Sequence, residues 1–550
     1  MLSHLTSLIQ SSWRYSTGLH AFFKETIDLD EARGFLVREL EEREETFLQV
    51  LERGIYNNPR SPYLRLLEHA GYGLADVQAL VRSQGLEGAL LQLHDKGVYV
   101  TLDEFKGRAP IRRPGLEFPV EAHDFANPLL TVHYSASTGG SRGKASPVEI
   151  DLDFIAADAA NSLWGLHATG FLGRPVLLRA PGPPSLTALR TMLQQAKQNR
   201  APEKWLSPTK PNWNRQSLQG RILYAVTRLV ARRTGKRMPR PEYAPDPMQA
   251  VNYLAEYVRN GTPALQQGGG VTQVIRTCLA AERSGLDISG TAFRGGSEPT
   301  TEGKLAVVQR VGAVLAANYA MQEAGNIACG CGNPSAPDDM HFLKGKLAAI
   351  QRPIQSEDGG LGVDGLFYTT LSSRAPRMML NVESGDYAVL EERDCGCAWQ
   401  SIGLTTHIHH VRSYEKLTSG GVMFMGSMLH DLLESTLPAR FGGSPLDYQL
   451  AEEEEDGITR VSILVSPRVG AIDEAAVVDA VLAHLSFADW SRRQADLWRQ
   501  NKTLLVQRRE PYATRAGKIL PLHVLEARGE VTSISSQSNA PANPQEPSRS

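Results

Sequence analysis

Between Tyr134 and Lys144 the chain reads YSASTGGSRGK, a stretch with three glycines, four serine or threonine hydroxyls and two basic residues. A glycine-rich turn that follows a strand presents backbone N–H groups, hydroxyls and a cation together, which is the chemistry that cradles phosphate oxygens. Ser135, Ser137, Thr138, Gly139 and Lys144 are the candidates. A flexible surface loop of the same composition is the plainer alternative. The Walker pattern fails, because its first glycine falls on Thr138 and the residue after Lys144 is Ala145. Further along, RGGSEPTTEG and NYAMQEAG place Gly296, Glu298 and Pro299 before a helix, and Tyr319 and Glu323 at a strand's end. Ligands of open α/β sheets bind beyond the carboxyl ends of strands, so Glu323 suits a metal and Tyr319 a flat ring. Asp386 follows Gly385 in what reads as a tight turn, Arg412 opens RSYEK, and Lys518 sits on a Gly-Lys-Ile turn.

The five cysteines are Cys278, Cys329, Cys331, Cys395 and Cys397. Two Cys-x-Cys pairs with His341 nearby could supply the four soft ligands of a closed structural zinc site. Ordinary buried thiols are the alternative reading, and Cys278 fits the apolar face of a helix. In HIHH, His407 and His409 share one face of a strand, and strand residues are the favoured reading over metal ligands. Gln216 to Glu242 is a basic amphipathic stretch with Arg221, Arg228, Arg232, Arg233, Lys236, Arg237 and Arg240 beside an apolar stripe. It could grip an acidic carrier protein or anionic lipid, although a packed helix with a solvated face is commoner.

These residues need a large scaffold, and 550 residues provide one. The formal net charge of -2 gives no global field toward nucleic acid. No apolar run is long enough to span a bilayer and the first residues do not read as a secretory signal, so a cytoplasmic address is the default. Residues 1–120 read as a helical region, with Phe35, Leu36, Leu40, Phe47, Leu48 and Leu51 at helical spacing. From 121 to 412, β-branched runs alternate with helical patterns, the texture of α/β layers. Residues 413–528 read as a small α+β module that starts with a helix over GGVMFMGSMLHDLLESTL. Residues 529–550 are Ser, Pro, Asn and Gln with hardly an apolar side chain, a tail expected to be disordered.

Taken in order, SASTGGSRGK, GGSEPTTE, NYAMQE, SGD, VRSYEK and RAGKIL resemble the ordered motifs of the adenylate-forming (ANL) superfamily. The likeness covers about residues 55 to 528 and is greatest to the phenylacetate-CoA ligase branch. It implies a large multi-layer α/β catalytic body with a small mobile C-terminal lid that pivots within Ser413 to Glu415. By resemblance, the first loop would grip the phosphates of ATP, Gly296 to Pro299 would line the adenine slot and Tyr319 would stack on the base. Glu323 would hold Mg²⁺, Asp386 the ribose with Arg412 beside it, and Lys518 would bridge the substrate carboxylate and the α-phosphate. Some phenylacetate-CoA ligase relatives carry zinc near the position of these cysteines. Ala136 replaces a usual glycine, and Ala320 and Gln322 replace a glycine and a threonine.

The activity implied is ATP-dependent conversion of a small carboxylic acid to an acyl-adenylate, then transfer to CoA. The alternatives are a protein thiol or acyl-carrier protein as acceptor, or a degenerate nucleotide-binding member. A homodimer is compatible with all three. The acid pocket is expected between the helix around Trp164 to Thr169 and the segment Gly261 to Val274.

Overall fold

Most of the chain's β-branched runs join one twelve-stranded sheet. The computed structural model describes residues 15–137, 147–183, 186–210, 218–297, 299–300, 302–354, 363–413, 416–419, 422–425, 431–443, 447–455, 458–485, 498–499, 503–512 and 522–524. Ahead of the sheet lie two hairpins, β1 (Ile111–Arg113) with β2 (Leu116–Phe118), and β3 (Tyr134–Ser137) with β4 (Pro147–Ile150). One half of the sheet is parallel: β5 (Val176–Arg179), β6 (Lys204–Ser207), β7 (Pro241–Tyr243), β8 (Leu265–Gly270), β9 (Ala292–Gly296) and β10 (Val314–Met321). Their spatial order is β10-β9-β8-β5-β6-β7.

Beyond β10 the helical alternation stops. Strands β11 (Gly325–Gly330), β12 (Met340–Phe342), β13 (Leu347–Ile354), β14 (Val363–Thr370), β15 (Val382–Glu392) and β16 (Thr406–Ser413) are all antiparallel to their neighbours. The α/β expectation is met by the sheet as a whole, but alternation covers only its parallel half. Only parallel neighbours require a long crossover, so only that half needs a helix between strands.

Helices α1 (Leu29–Glu41), α2 (Arg43–Leu51) and α3 (Leu74–Asp95) precede the sheet, followed by the short α4 (Leu102–Phe105). Phe47, Leu51, Val77 and Leu90 of these helices share one apolar core with Leu347, Leu366 and Tyr368 of the antiparallel half. Full burial of each such side chain is worth about 1.5 to 3 kcal/mol. Helix α5 (Leu152–Ala168) starts at Asp151, whose side chain accepts from the Asp153 N–H, and buries most of its length between α1 and β11. Helices α6 (Leu186–Lys197), α7 (Leu218–Arg233), α8 (Pro247–Arg259), α9 (Val271–Ser284) and α10 (Glu302–Arg310) cover the parallel half. One of its faces packs against α6 and α7 through Leu178 and Trp205. The other packs against α8 and α9 through Leu177, Leu206 and Phe293.

Two local expectations are corrected. Val422–Met425 is not helix but a strand, β18, paired with β17 (Lys416–Ser419). Its Val-Met-Phe-Met run fits a pleated surface better than its helix-forming neighbours suggest. Gly385 and Asp386 do not form a tight turn; they lie inside the eleven-residue strand β15. Gly385 keeps the positive φ that made the dipeptide look like a turn, at +81°.

Towards the C-terminus, β19 (Tyr448–Glu455), β20 (Ile458–Val465), β21 (Leu504–Arg508) and β22 (Leu522–Val524) form a separate sheet in the order β21-β20-β19-β22. Helix α11 (Glu474–Leu485) closes it through a core that includes Leu450, Ile463, Val477, Val481 and Trp498. Just ahead of β21, Thr503 Oγ1 accepts from Arg276 Nη2 of α9 at 3.1 Å. Among the described residues no helix is long and apolar enough to cross a membrane.

Candidate active site and metal centre

The seam between the parallel and antiparallel halves gathers several of the predicted site residues. Gly296, the last residue of β9, lies opposite Asn318 of β10, so Tyr319 follows directly on the strand next to the proposed adenine slot. A Cβ on Gly296 would come within 2.6 Å of the Asn318 carbonyl oxygen, so no larger residue fits there. The next residue, Ser297, holds φ +67°, a conformation non-glycine residues take up at a cost and mainly at functional sites. Tyr319 Oη donates to Asp386 Oδ2 at 2.6 Å. Burial, and then the Asp386 charge, hold the Tyr319 phenol well above its ordinary pKa, so it stays protonated and able to donate.

In sheet order β10 and β15 are four strands apart, and a flat sheet would separate them by roughly 19 Å. Contact between their side chains therefore requires the antiparallel half to curl. Register irregularities between Tyr319 and Ala320, Gly365 and Phe367, and Tyr387 and Val389 are where extra residues bend the strands.

Glu323 follows β10 in the turn before β11 and is 6 % exposed. Lys106, just after α4, forms an ion pair with it. The turn is held from beneath by Asp158 of α5, which accepts from the Asn326 backbone N–H at 3.1 Å, Lys346 Nζ at 3.0 Å, Arg190 Nη2 at 2.5 Å and Gln194 Nε2 at 2.9 Å. A Cβ on Gly325 would lie 2.8 Å from Asp158 Oδ2 and 2.6 Å from Arg190 Nη2. Burial alone would raise the Asp158 carboxyl; the Lys346 and Arg190 charges outweigh it and hold the group well below the usual carboxylate range.

Arg412 is not brought to Asp386. It lies opposite Tyr387, one residue out of step with Asp386, and therefore points to the other face of the sheet. Its Nη1 donates to Asp338 Oδ2 at 2.9 Å. Ser135 and Ser137 lie on β3, but the rest of the phosphate loop, Thr138, Gly139 and Lys144, falls outside the described residues, as do Glu298, Lys518 and the tail. Of the pivot only the Ser413 backbone is described. Pro299 is half-buried, and its carbonyl accepts from Lys304 Nζ at 3.0 Å. Gly165, Leu166 and Thr169 of α5 line a small void together with Ala316, Ala317 and Gly330.

A second cluster lies on the antiparallel half. The ligating atoms of Cys331, His341, Cys395 and His407 all lie within 4.8 Å of one another. Cys397 Sγ is 4.0 Å from Cys331 Sγ and 3.2 Å from His341 Nε2. Cys329 does not join it: its thiol turns to Arg294 and Asn318. His407 does join, because register sets it opposite His341 across β12 and β16, and both side chains are buried. His341 Nδ1 is tied to the Leu404 carbonyl at 2.8 Å, and His407 Nδ1 to Asp339 Oδ1 at 2.7 Å. His407 Nε2 is buried with no hydrogen-bond partner. A metal-binding imidazole is held in this way, one ring nitrogen anchored by a carbonyl or carboxylate and the other left free to ligate. The residues present fit zinc, with five soft or borderline donors for four positions. Lys106, Asp338 and Asp339 are functional candidates that sequence reasoning missed; His407, favoured as a strand residue over a metal ligand, is on a strand and in the cluster as well.

No protein-family model matches the chain, and no curated protein matches it. Solved structures do. A 2-hydroxyisobutyryl-CoA ligase with 2-HIB-AMP and CoA in the thioesterification state is 14 % identical, with 91 % of each chain covered and a TM-score of 0.53. An open conformation of the same ligase covers 92 % of this chain and 93 % of that one, at 14 % identity and a TM-score of 0.44. The amide bond synthetase McbA from Marinactinospora thermotolerans is 12 % identical, covering 74 % of this chain and 69 % of that one, with a TM-score of 0.40.

Proposed function

With the fold of an adenylate-forming CoA ligase as premise, we propose that this protein activates a small carboxylic acid with ATP and passes the acyl group to CoA. The observation that carries the reading is the bond between Tyr319 and Asp386, 67 residues apart, with Gly296 on the strand beside Tyr319 and Glu323 in the turn that follows it. In this reading Asp386 accepts from the ribose hydroxyls and Tyr319 packs on the base while keeping its bond to Asp386. Bound Mg²⁺ would neutralise phosphate charge, and Glu323 would hold it in place of Lys106. The carboxylate oxygen attacks the α-phosphorus in line, the phosphorus–oxygen bond to pyrophosphate breaks, and acyl-AMP forms. Lys518 offsets the charge that develops between the two anions. CoA thiolate then attacks the acyl carbon and AMP leaves. Residues 413–528 are read as the lid that alternates between the two steps, with residues 121–412 as the body, residues 1–120 as a helical cap, and a tail after 528. The neighbour that supports acyl transfer was solved with acyl-AMP and CoA.

Zinc belongs to the proposal as a structural clip. Cys331, His341, Cys395 and His407 would hold it, with Cys397 as a neighbouring thiol. A protein thiol in place of CoA is the second reading. It is favoured by α7, whose surface carries Arg221, Arg232 and Arg233 around Leu229, a leucine 52 % exposed.

Pyrophosphate exchange with a panel of carboxylic acids tests the first half-reaction. Exchange above background with at least one acid is expected, and its loss by about 10² to 10³ in Lys518→Ala. Full exchange in that variant overturns the role of Lys518; none in the wild type with any acid overturns the ligase reading. AMP release that depends on CoA separates CoA from a carrier protein as acceptor.

A further inference from the structure

Arg179 ends β5 and is 2 % exposed, yet its Nε and Nη1 have no hydrogen-bond partner. Gln266, on the neighbouring strand β8, is fully buried, and neither end of its amide has a partner. Leu177 lies opposite Gln266, so strand alternation puts Arg179 and Gln266 on the same sheet face, the one covered by α8 and α9. Such groups are rare in native folds and costly when left unpaired, a charge more so than a neutral group.

The surroundings deepen the deficit of negative charge. Burial, and then the Arg276 guanidinium, push Arg179 down to about 10, against the pull of Asp246. Arg276 belongs to α9, a fourteen-residue helix whose N-cap is Gly270 and which has no side-chain cap. Its first N–H groups, and the positive end of its dipole, open toward the same strand ends. Gly268 and Gly269 precede that N-terminus with φ of +89° and +82°. A Cβ on Gly268 would come within 2.9 Å of the Arg179 carbonyl oxygen, so the backbones stay close only because no side chain intervenes.

We propose that Arg179 at the carboxyl end of β5, Gln266 on the neighbouring β8 and the N-terminus of α9 form an oxyanion-binding pocket, occupied by an anionic group of one of the enzyme's own substrates. Two sources share this chemistry: a second carboxylate at the far end of the acid, and a phosphate of CoA. Two features favour a substrate over a structural ion. The pocket lies at the strand ends next to β9, the strand that leads to Gly296, and Arg276 links it to the C-terminal sheet through Thr503. The pocket deepens the ligase reading, which it needs only to name the occupant.

Melting of the full-length protein in inorganic sulfate probes the pocket directly. Without sulfate, Arg179→Met is expected to melt at or above the wild type, since it removes an unpaired buried charge. With sulfate, the wild type is expected to gain several degrees that Arg179→Met and Gln266→Leu gain less of. Exchange and transfer kinetics then name the source. If the acid supplies the anion, Arg179→Met lowers kcat/KM for dicarboxylic acids at least tenfold and spares monocarboxylic acids. If CoA supplies it, exchange is unchanged, KM for CoA rises at least tenfold, and transfer to pantetheine, which has no phosphate, is spared. Equal sulfate shifts in wild type and variants, or a lower melting temperature of Arg179→Met without sulfate, overturn the pocket. Absence of exchange with every acid sinks the ligase reading but leaves the sulfate comparison decisive for the pocket.

Discussion

Asp386 has one carboxylate to divide between Tyr319 and, in the proposed reaction, the ribose. Oδ2 is engaged by the phenol, and Ser384 Oγ accepts from the Asp386 backbone N–H at 3.0 Å, so the side chain is aimed before nucleotide arrives. Asp386→Ala is therefore expected to raise KM for ATP by tenfold or more. Tyr319→Phe should raise it by less, because one net hydrogen bond is worth about 1 kcal/mol. Steady-state exchange kinetics with varied ATP check both, and an unchanged KM in Asp386→Ala would remove the ribose role. In the proposed metal centre, Asp339 fixes His407 and also pairs with Arg393. Protein purified without chelator should contain about one zinc per chain. Asp339→Asn should weaken zinc affinity by roughly 10 to 100-fold, as loss of an outer-shell partner does. Metal analysis of both proteins decides, and a zinc-free wild type would refute the site.

The elements that are simplest to read in the sequence are those whose own periodicity settles them: α10, β10, the strands β19 to β21, and α11. Where tertiary pairing decides, the sequence misleads. Ser-Gly-Asp reads as a turn, but β14 and β16 flank it and make it strand. Arg412 and Asp386 lie on paired strands, and a register step of one residue sends their side chains to opposite faces, which no local pattern predicts. His407 and His409 were legible as sharing a face, but only the pairing with β12 shows that His407 meets His341. Lys106 and Glu323 stand 217 residues apart and carry no joint signature. Two carboxylates packed around α5 give this region opposite responses to pH. Asp158 is held below its ordinary pKa, so its stabilisation is present above about pH 4 and is lost as pH falls. Glu39 of α1 is pushed up to about 7 by burial, against Lys346 and Arg374, so stability falls as pH rises from about 4 to 7. Glu39→Gln should flatten that second slope, as read by denaturant unfolding at several pH values; an unchanged profile would show that Glu39 ionises normally in the fold.

At the scale of the whole molecule, the N-terminal helices bury their apolar residues against the antiparallel half, whereas the C-terminal sheet has a core of its own. That contrast suits a lid that turns as a unit. If residues 413–528 are the lid proposed above, the contact of Arg276 with Thr503 marks one of its positions. A short bismaleimide bridge between Arg276→Cys and Thr503→Cys should hold that position. If it is the acyl-transfer position, the bridge abolishes pyrophosphate exchange but spares thioester formation from supplied acyl-AMP; unaffected exchange would mean that the contact persists through the adenylation step.

The rolled antiparallel half has a mechanical side. A phenol–carboxylate clasp, Tyr319 to Asp386, spans strands that the ladder alone would leave far apart. If Asp386 holds the nucleotide as proposed, whatever grips that carboxylate also tugs on a latch between β10 and β15, and nucleotide occupancy and the curvature of this half become mechanically one variable.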